Sequence, residues 1–324
     1  MYAPQRVMTN HDLEKLVDTS DDWIFSRTGI HERRIAAPDE ATSDLALIAA
    51  KEALAVAGFD AADLDTIIVA TATGDMQGLP ATATIVQDKL GAKKAAGFDV
   101  VAVCSGFTYA LDVAAQFIET GRSKSVLVIG AEVMSRILDW TDRNTCVLFG
   151  DGAGAVLLRP AESESDGGIL GGILGSDGSG ACLLNIPAGG SRLPLTPELI
   201  AQGQQYLKMR GREVYRFAVE IMGEAAIQAL TSVGLTAADV DLFIPHQANI
   251  RIMDAAAKRL GMPMEKVFVN VDRYGNTSAA SVPLALCEAW KAGRVRPGDL
   301  IVTVGFGAGL TWGANVIRWG NLQP

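Results

Sequence analysis

The sequence predicts an α/β protein made of two similar halves. Short apolar runs typical of buried strands alternate with segments whose apolar residues recur at helical spacing along most of the 324 residues. Residues 53–68 and 229–244 align without a gap and share Ala-Leu, a later glycine and an Ala-Ala-Asp turn. Two copies indicate a pseudo-twofold fold, because a solenoid needs three or more units. We place the halves at residues 1–165 and 166–324.

The elements of the first half follow from apolar spacing and helix-ending glycines. A short helix is expected from about Asn10, and an Ala-rich helix over 43–58 ends at Gly58, a typical C-cap. Strands are predicted at 65–73, 98–103 and 125–131, with helices at 80–90 and from Phe107 to Ile118. The glycines between Cys146 and Leu158 lack the Gly-Lys-Ser/Thr of a phosphate loop, so they indicate a bend between two strands whose backbones pass closely.

The second half repeats this order after an interruption. Residues 160–212 are rich in Gly, Ser, Pro and acidic residues and are interpreted as a linker with a lid-like excursion. Helices are then predicted at 213–233, 253–260 and 281–292, and strands at 241–245, 267–271 and twice within 300–318. In such sheets ligands bind at strand ends, so the site is expected where the halves meet.

Composition and charge exclude several classes of protein. Hydrophobic residues at 49% and charged residues at 20% are typical of a globular protein with a large core. The net charge of −9 argues against nucleic acid and an anionic membrane as partners. The four cysteines form no Cys-x-x-Cys pair and the three histidines are scattered, so neither a disulfide framework nor a metal site is expected. No apolar run approaches transmembrane length and no signal peptide is seen, which favours a cytoplasmic protein.

Cys104 is the strongest candidate for a nucleophile. It stands between a predicted strand and a predicted helix and is followed by Ser105-Gly106. The free N–H groups and the macrodipole at a helix N-terminus favour the thiolate, which is the reactive form of cysteine. A lone cysteine is more often a small core residue. The turn position and the partners predicted in the second half favour a catalytic role here.

Those partners are His246, Asn276 and Gly307. His246 ends a predicted strand beside the amides of Gln247 and Asn249, and Asn276 lies in a Gly-Asn turn before a helix. The flexible loop around Gly307 brings a backbone N–H toward Cys104. Cys, His and Asn also occur together in papain-like proteases, but those lack this internal duplication, so a cysteine hydrolase is the weaker interpretation.

Tryptophan and arginine residues predict a ligand that carries phosphate. Trp23 is followed by Arg27, Arg33 and Arg34, and guanidinium groups bind phosphates while an indole stacks on a base. Taken alone, this signal does not distinguish a binding site from a charged surface loop.

Five specific motifs resemble those of the β-ketoacyl-acyl-carrier-protein synthase III family over essentially the whole chain. They are Asp-Trp-Ile-x-x-Arg-Thr-Gly-Ile, Cys-Ser-Gly-Phe-Thr-Tyr-Ala-Leu, Phe-Gly-Asp-Gly-Ala-Gly-Ala, Pro-His-Gln-Ala-Asn-x-Arg-Ile and Gly-Asn-Thr-Ser-Ala-Ala-Ser. The resemblance implies a thiolase-like fold with α-β-α-β-α layers. It implies an acyltransferase that starts fatty acid synthesis by condensing an acyl-CoA with malonyl-acyl-carrier protein, without a cofactor and as a homodimer.

The resemblance also implies residue roles. Cys104 is the expected nucleophile, His246 and Asn276 its catalytic partners, and the backbone N–H groups of Cys104 and Gly307 the oxyanion hole. Leu79 is expected at the acyl pocket, in a stretch that reaches the partner subunit in the family. The expected coenzyme A or phosphopantetheine entrance consists of Trp23, Arg27, Arg143, Tyr215, Asn249 and Arg251. A basic patch for the acidic carrier protein is predicted from Arg212, Arg216, Arg251, Lys258 and Arg259.

Two departures and several alternatives remain open. Family chains begin with a strand before the position of Met1, so the first half is expected either to be trimmed or to lack a core strand. The acyl-pocket segment 75–80 has a sequence of its own that departs from the family pattern, which leaves the length of the acyl primer open. The closest rivals are a polyketide starter synthase, a chalcone-synthase-like enzyme and a hydroxymethylglutaryl-CoA synthase, although the last needs a catalytic glutamate near Cys104. A non-catalytic carrier-binding scaffold of the same fold is a rival of another class.

Overall fold

A computed structural model describes residues 1–163 and 166–322. The strands are β1 (Arg6–Thr9), β2 (Glu32–Ile35), β3 (Thr66–Ala70), β4 (Ala96–Val100), β5 (Val126–Val133), β6 (Asp151–Leu158), β7 (Gly168–Ser176), β8 (Leu184–Asn185), β9 (Lys208–Met209), β10 (Leu242–Pro245), β11 (Leu300–Gly307) and β12 (Thr311–Arg318). The helices are α1 (Asn10–Leu13), α2 (Asp21–Thr28), α3 (Thr42–Ala57), α4 (Thr82–Leu90), α5 (Gly106–Glu119), α6 (Pro197–Ala201), α7 (Gly211–Ser232), α8 (Ile250–Arg259), α9 (Val271–Tyr274) and α10 (Ser281–Lys291).

Two four-stranded sheets form the centre of the molecule. The first has the order β4-β3-β5-β6, and the second has the order β10-β11-β12-β7. In the first sheet β3 is parallel to β4 and β5, while β6 is antiparallel to β5. In the second, β10 and β11 are parallel, and β12 is antiparallel to both β11 and β7. The two sheets therefore share the pattern of a parallel pair followed by an antiparallel strand.

Five layers result from the way helices cover these sheets. Helices α5 and α10 lie between the sheets and contact strands of both. Helices α3 and α4 cover the outer face of the first sheet, while α7 covers that of the second and packs on α8. Separate apolar clusters fill the spaces between these layers. The predicted α-β-α-β-α arrangement of two similar halves is confirmed.

The first half carries one strand fewer than the second along its β6 edge. β7 pairs with β12 over most of its length, whereas among the described residues the equivalent edge of β6 meets only Tyr2, which exchanges two backbone hydrogen bonds with Ala153. The second half in turn reduces the counterpart of β4 to a single parallel bridge between Phe243 and Val267. The predicted division at residue 165 falls between the two sheets, on a residue outside the described ranges, and stays a prediction.

Three local predictions are wrong. The glycines of the 146–158 run do not bend the chain, because β6 is one continuous strand. Close backbone approach was the correct part of that prediction: a methyl group at Gly154 would lie 2.6 Å from the backbone of Pro283 in α10. Residues 160–212 were interpreted as a linker with a lid-like excursion, but they begin with the edge strand β7 of the second sheet. Residues 267–271 form no strand beyond the bridge at Val267, and α9 begins at Val271.

Candidate active site

Cys104 lies at the turn that connects β4 to α5. A single 3₁₀ turn, Val103–Ser105, precedes the helix, and Val103 adopts a φ of +47°, which is strained for a β-branched residue. The strand ends at Val100, earlier than the sequence predicted. Cys104 itself is 4% exposed. The strained turn therefore presents the sulfur at the end of the first sheet, inside the molecule.

Gly307, at the end of β11, faces Cys104 from the second half. A methyl group on Gly307 would lie 2.7 Å from the Cys104 nitrogen and 3.1 Å from its Cβ. Real side-chain atoms do not approach this closely, so only glycine fits. The backbones of the two halves are thereby brought together directly beside the sulfur.

His246 follows β10 and is almost completely buried, with 1% of its surface exposed. Its Nδ1 forms a short hydrogen bond with the hydroxyl of Ser281, the first residue of α10. The same Ser281 oxygen accepts the backbone N–H of Gln247 over 3.4 Å. When the Ser281 hydroxyl donates its hydrogen to Nδ1, the histidine hydrogen is on Nε2. Phe306 packs edge-on against the imidazole with ring centroids 5.3 Å apart.

Asn276 is fixed through both its backbone and its side chain. Its backbone N–H donates to Leu148 over 2.8 Å, and its carbonyl accepts from Gly150 over 3.0 Å. Its side-chain Oδ1 accepts the backbone N–H of Ser278 over 2.8 Å. With Oδ1 held in this way, the Nδ2 group is the part of the amide that remains to donate to a ligand.

One cavity of about 100 Å³ joins these groups. Its lining includes Cys104, His246, Asn276 and Gly307, together with Tyr215 and Asn249. A more open depression of about 410 Å³ lies elsewhere, between Arg6, Leu16 and Trp140, and touches none of the predicted catalytic residues. Of these two cavities, only the smaller one combines a thiol, an imidazole and a carboxamide.

The expected entrance residues form a chain of contacts that leads from this cavity to the surface. Trp23 on α2 is half-buried, and two guanidinium groups lie over its ring, Arg27 at 4.6 Å and Arg143 at 5.1 Å from the ring centroid. Asn249 donates to the carbonyl of Arg27 over 2.9 Å. The Arg251 guanidinium stands 5.9 Å from the ring of Tyr215. All six predicted entrance residues therefore belong to one connected surface.

The predicted basic patch divides into paired and unpaired cations. Lys258 pairs with Asp254 at 2.6 Å, and Arg259 pairs with Glu224 of α7 at 2.5 Å. Arg212, Arg216 and Arg251 are exposed, and none of the three takes part in an ion pair with the described residues. These three arginines lie on α7 and α8 close to Tyr215.

Arg33 is not at the entrance, although the sequence grouped it with Trp23. It is fully buried and donates to the carbonyls of Met8 and Val147 and to Asn10. Burial lowers its pKa to about 10. Val147 directly precedes Leu148, whose carbonyl accepts the Asn276 N–H. Arg33 therefore holds the backbone segment that positions Asn276, and it does not bind a phosphate.

Comparison with known proteins places the chain in a family. The profile described as 3-oxoacyl-[acyl-carrier-protein (ACP)] synthase III matches residues 98–184, and the one for its C-terminal part matches residues 230–319. A curated relative from Symbiobacterium thermophilum, beta-ketoacyl-[acyl-carrier-protein] synthase III, is 58% identical over 99% of this chain and 96% of its own length. The chain belongs to the 3-oxoacyl-[acyl-carrier-protein] synthase III family.

Solved structures agree with this placement in the synthase III family. The 3-oxoacyl-[acyl-carrier-protein] synthase III of Aquifex aeolicus has a TM-score of 0.90 and 49% identity, covering 98% of this chain and 97% of that one. The priming β-ketosynthase of the R1128 polyketide pathway has a TM-score of 0.91 and 37% identity, covering 99% and 94%. The predicted family and its thiolase-like fold are confirmed, and the chain is a condensing enzyme of the acyltransferase type.

Burial bears on two predictions about this synthase III chain. It raises the pKa of the Cys104 thiol to about 12, which opposes the effect of the helix end on the sulfur. Leu79 lies on the surface with 87% of its area exposed and is not among the residues that line the cavity of its own chain, so its place at an acyl pocket stays a prediction.

Sequence reasoning also missed residues that hold the site. Ser278, Ser281 and Phe306 contact the predicted catalytic side chains, and Glu132 lies behind Ser278. The signal available for the two serines was their place in the Gly-Asn-Thr-Ser-Ala-Ala-Ser motif. No local signal marked Glu132, which lies near the end of the otherwise apolar strand β5. In the described ranges no cluster of metal-ligating side chains occurs, and no helix there is long and apolar enough to span a membrane.

Proposed function

We propose that this synthase III condenses an acyl-CoA primer with malonyl-acyl-carrier protein through an acyl-Cys104 intermediate, and so starts fatty acid synthesis. The observation that carries the proposal is the single buried cavity shared by Cys104, His246, Asn276 and Gly307. Two relatives named beta-ketoacyl-[acyl-carrier-protein] synthase III are 58% and 56% identical over nearly the whole chain, which supports the same reaction.

In the first half-reaction the Cys104 sulfur attacks the thioester carbonyl of the acyl-CoA. The carbon–sulfur bond to coenzyme A breaks and the acyl group stays on Cys104. The backbone N–H groups of Cys104 and Gly307 donate to the oxyanion that forms on the way. Such a donor contributes about 3 to 4 kcal/mol in comparable sites.

In the second half-reaction malonyl on its carrier loses CO₂. The electron pair of the broken bond forms an enolate, whose oxygen accepts hydrogen bonds from His246 Nε2 and Asn276 Nδ2. The enolate carbon then attacks the acyl carbon, and the bond to Cys104 breaks to release the β-ketoacyl product. The condensation needs no external oxidant or reductant, so we propose that the enzyme uses no redox cofactor.

Intact-mass measurement after incubation with acyl-CoA, followed by ¹⁴CO₂ release from malonyl-carrier, tests these roles. We expect Cys104→Ala to take up no acyl group, and His246→Ala and Asn276→Ala to be acylated but to lose decarboxylation. Cys182→Ser removes an exposed thiol and is the matched control, expected to behave as wild type. Acylation lost and decarboxylation kept in His246→Ala contradicts the assignment.

The surface around Trp23, Arg27, Arg143, Tyr215, Asn249 and Arg251 is proposed to bind coenzyme A and phosphopantetheine. Two guanidinium groups lie over one indole, and their fork-shaped N–H donors suit phosphates, although Arg143 also donates to Asp18. Tyr215 and Asn249 belong both to this surface and to the cavity, so a linear pantetheine arm can run between them to Cys104.

The acidic carrier protein is proposed to dock on the basic patch, chiefly on its three unpaired cations. Arg212, Arg216 and Arg251 have no carboxylate among the described residues to neutralise them, whereas Lys258 and Arg259 do. We expect Arg216→Glu to weaken carrier binding at least tenfold at low salt, with less effect at high salt because rim charges are screened. Lys258→Glu is the control and is expected to change the affinity less than threefold. Equal carrier-protein affinities of both variants and the wild type would contradict the proposed docking patch.

A homodimer is proposed from the surface of the first half. Among the described residues β4 is an edge strand with one neighbour, and Val101, directly after it, is 75% exposed. Two further apolar side chains of this half, Leu79 and Met76, are 87% and 55% exposed. Unpaired edges and apolar patches of this kind are usually covered. Leu79 is proposed to reach the acyl pocket of the partner subunit, which accounts for its distance from the cavity of its own chain.

A priming role in polyketide synthesis is the second candidate, favoured by the 37% identity to the R1128 enzyme. Acylation assays with acetyl-, branched and long acyl-CoA separate the two, because they compare primers directly. The cysteines of the described ranges are all unbonded, which supports a reducing compartment, and we propose the cytoplasm.

A further inference from the structure

The strained turn that carries Cys104 is bonded to a hydroxyl from the other half of the molecule. Thr311 is the first residue of β12, and its Oγ1 accepts a hydrogen bond from the Ser105 hydroxyl over 2.8 Å. The same Oγ1 lies 3.1 Å from the carbonyl oxygen of Ala102, to which it can donate. Because Ala102 and Ser105 enclose Val103 and Cys104, Thr311 reaches the turn on both sides of the nucleophile.

Thr311 also belongs to the hairpin that carries Gly307. In the pairing of β11 with β12, Thr311 lies directly opposite Gly307, and its hydroxyl lies 2.9 Å from the carbonyl oxygen of Ala308. A hydroxyl has one hydrogen, so Thr311 donates to either Ala102 or Ala308 while it accepts from Ser105. One side chain therefore connects the turn of the first half with the hairpin of the second.

The backbones of turn and hairpin meet here without side chains between them. A methyl group at Gly305 would lie 2.8 Å from the Cα of Ser105 and 3.0 Å from the Cys104 carbonyl oxygen. One at Gly307 would lie 2.7 Å from the Cys104 nitrogen. Such packing sets how near the two backbones are, but the angles at which their N–H groups point depend on directional bonds.

Local preferences do not hold the turn in its shape. Val103 has a φ of +47°, a conformation that a β-branched residue avoids, and such a conformation persists only where its surroundings impose it. Two bonds lie within the turn, from the Ser105 N–H and the Ser105 hydroxyl to the Ala102 carbonyl, over 3.1 and 2.8 Å. The bonds of Thr311 are different in kind, because they relate the turn to the position of Gly307.

We propose that Thr311 is a positioning residue for the acylation of Cys104, and that its hydroxyl aligns the two oxyanion donors, the backbone N–H groups of Cys104 and Gly307. Both donors must point at the place where a single oxygen becomes negative. A small rotation of the turn against the hairpin would misdirect one donor and leave the sulfur in the cavity. Thr311 is not among the residues that line that cavity. This proposal rests on the acyl-Cys104 function proposed above.

Two reactions of the same sulfur test this role at one pH. Acylation by acetyl-CoA passes through an oxyanion on the attacked carbonyl, whereas alkylation by iodoacetamide displaces iodide and forms no oxyanion. We expect Thr311→Val to slow single-turnover acylation roughly tenfold to a hundredfold, less than the loss of a whole oxyanion donor. Alkylation, mapped to Cys104 by peptide mass, is expected to stay within about twofold of wild type, because it depends on the sulfur alone. The acetyl-CoA concentration that gives half the maximal acylation rate is expected to be unchanged.

Two further variants distinguish alignment from general damage. Thr311→Ser keeps a hydroxyl that can donate and accept, so it is expected to retain the wild-type acylation rate within about threefold. Thr66→Val is the matched control: it removes a buried hydroxyl that bonds to Ser123, at the opposite end of the first sheet from Cys104. We expect it to lower the free energy of unfolding without slowing either reaction.

A wild-type acylation rate in Thr311→Val would overturn the proposal. A parallel fall of acylation and alkylation would also overturn it, as would a Thr311→Ser variant as slow as Thr311→Val. If Thr311→Val does not fold by circular dichroism, Ser105→Ala decides in its place, since it removes the hydroxyl that reaches Thr311 from the turn and should show the same difference between the two reactions. Failure of the function itself has a different signature, which is a wild-type protein that is alkylated at Cys104 but accepts no acyl group from any thioester.

Discussion

Cys104 and His246 share a buried cavity, and burial moves both toward their uncharged forms. The pKa of the thiol rises to about 12 and that of the imidazole falls to about 3, in each case because the charged form loses its hydration. A neutral imidazole with its hydrogen on Nε2 can donate a hydrogen bond to an enolate oxygen while carrying no positive charge itself. The resting site is therefore a set of neutral donors, and the charge it handles is the one that the reaction creates.

Folding stability is expected to depend on His246 below pH 6.5. Between its ordinary pKa of 6.5 and the folded value of about 3, the unfolded chain binds a proton there and the folded chain does not. Protonation thus favours unfolding, so this contribution to stability is present above pH 6.5 and is lost as the pH falls toward 3. Urea unfolding at pH 4, 5, 6 and 7 measures the slope.

The variant His246→Gln is expected to lose stability less steeply over that range. His31→Gln removes an exposed histidine instead and is expected to retain the wild-type slope. If His246→Gln and wild type have parallel curves, the histidine is not buried in its neutral form.

At the scale of elements, glycines in β6 set how closely α10 lies on the first sheet. A methyl group at Gly154 would meet the Pro283 backbone at 2.6 Å, so Gly154→Ala must push the helix and sheet apart. We expect a loss of roughly 1 to 3 kcal/mol in the free energy of unfolding, typical of an overpacked core. Denaturant melts measure this loss.

The displacement is also expected to reach the chemistry, because Ser281 at the start of α10 holds His246. Decarboxylation should fall more than Cys104 acylation. Gly178→Ala is the matched control, since a methyl group there meets no atom within 4 Å. Equal stability of the two variants would show that α10 adjusts without strain.

At the scale of the whole molecule, the exposed edge around β4 predicts the oligomeric state. Val101→Asp places a charge in the apolar patch and is expected to convert a dimer into a monomer, measured by light scattering after gel filtration. Leu16→Asp changes an equally apolar side chain that is 51% exposed elsewhere, and it should leave the dimer intact. A wild-type protein that elutes as a monomer at micromolar concentration contradicts the proposed dimer and, with it, the place of Leu79.

Elements with a regular apolar period were predictable, and those that depend on distant partners were not. Helix α3 and its end at Gly58 were predicted correctly, since spacing and a C-cap are local signals. The bend predicted at β6 was wrong, because its glycines are required by α10, which lies more than 120 residues away in sequence. Residues 267–271 have the composition of a strand but find only one bridging partner among the described residues, at Phe243.

The sequence by itself determined the duplicated α/β architecture, the family and the identity of Cys104, His246 and Asn276 as candidates, because repeats and motifs are written in neighbouring residues. The tertiary structure alone decided the burial of Cys104 and His246, the burial of Arg33, the exposure of Leu79 and the hydrogen bond from Ser278 to Glu132. Hydration and hydrogen bonding depend on which atoms surround a group, and those atoms come from segments far apart in the chain.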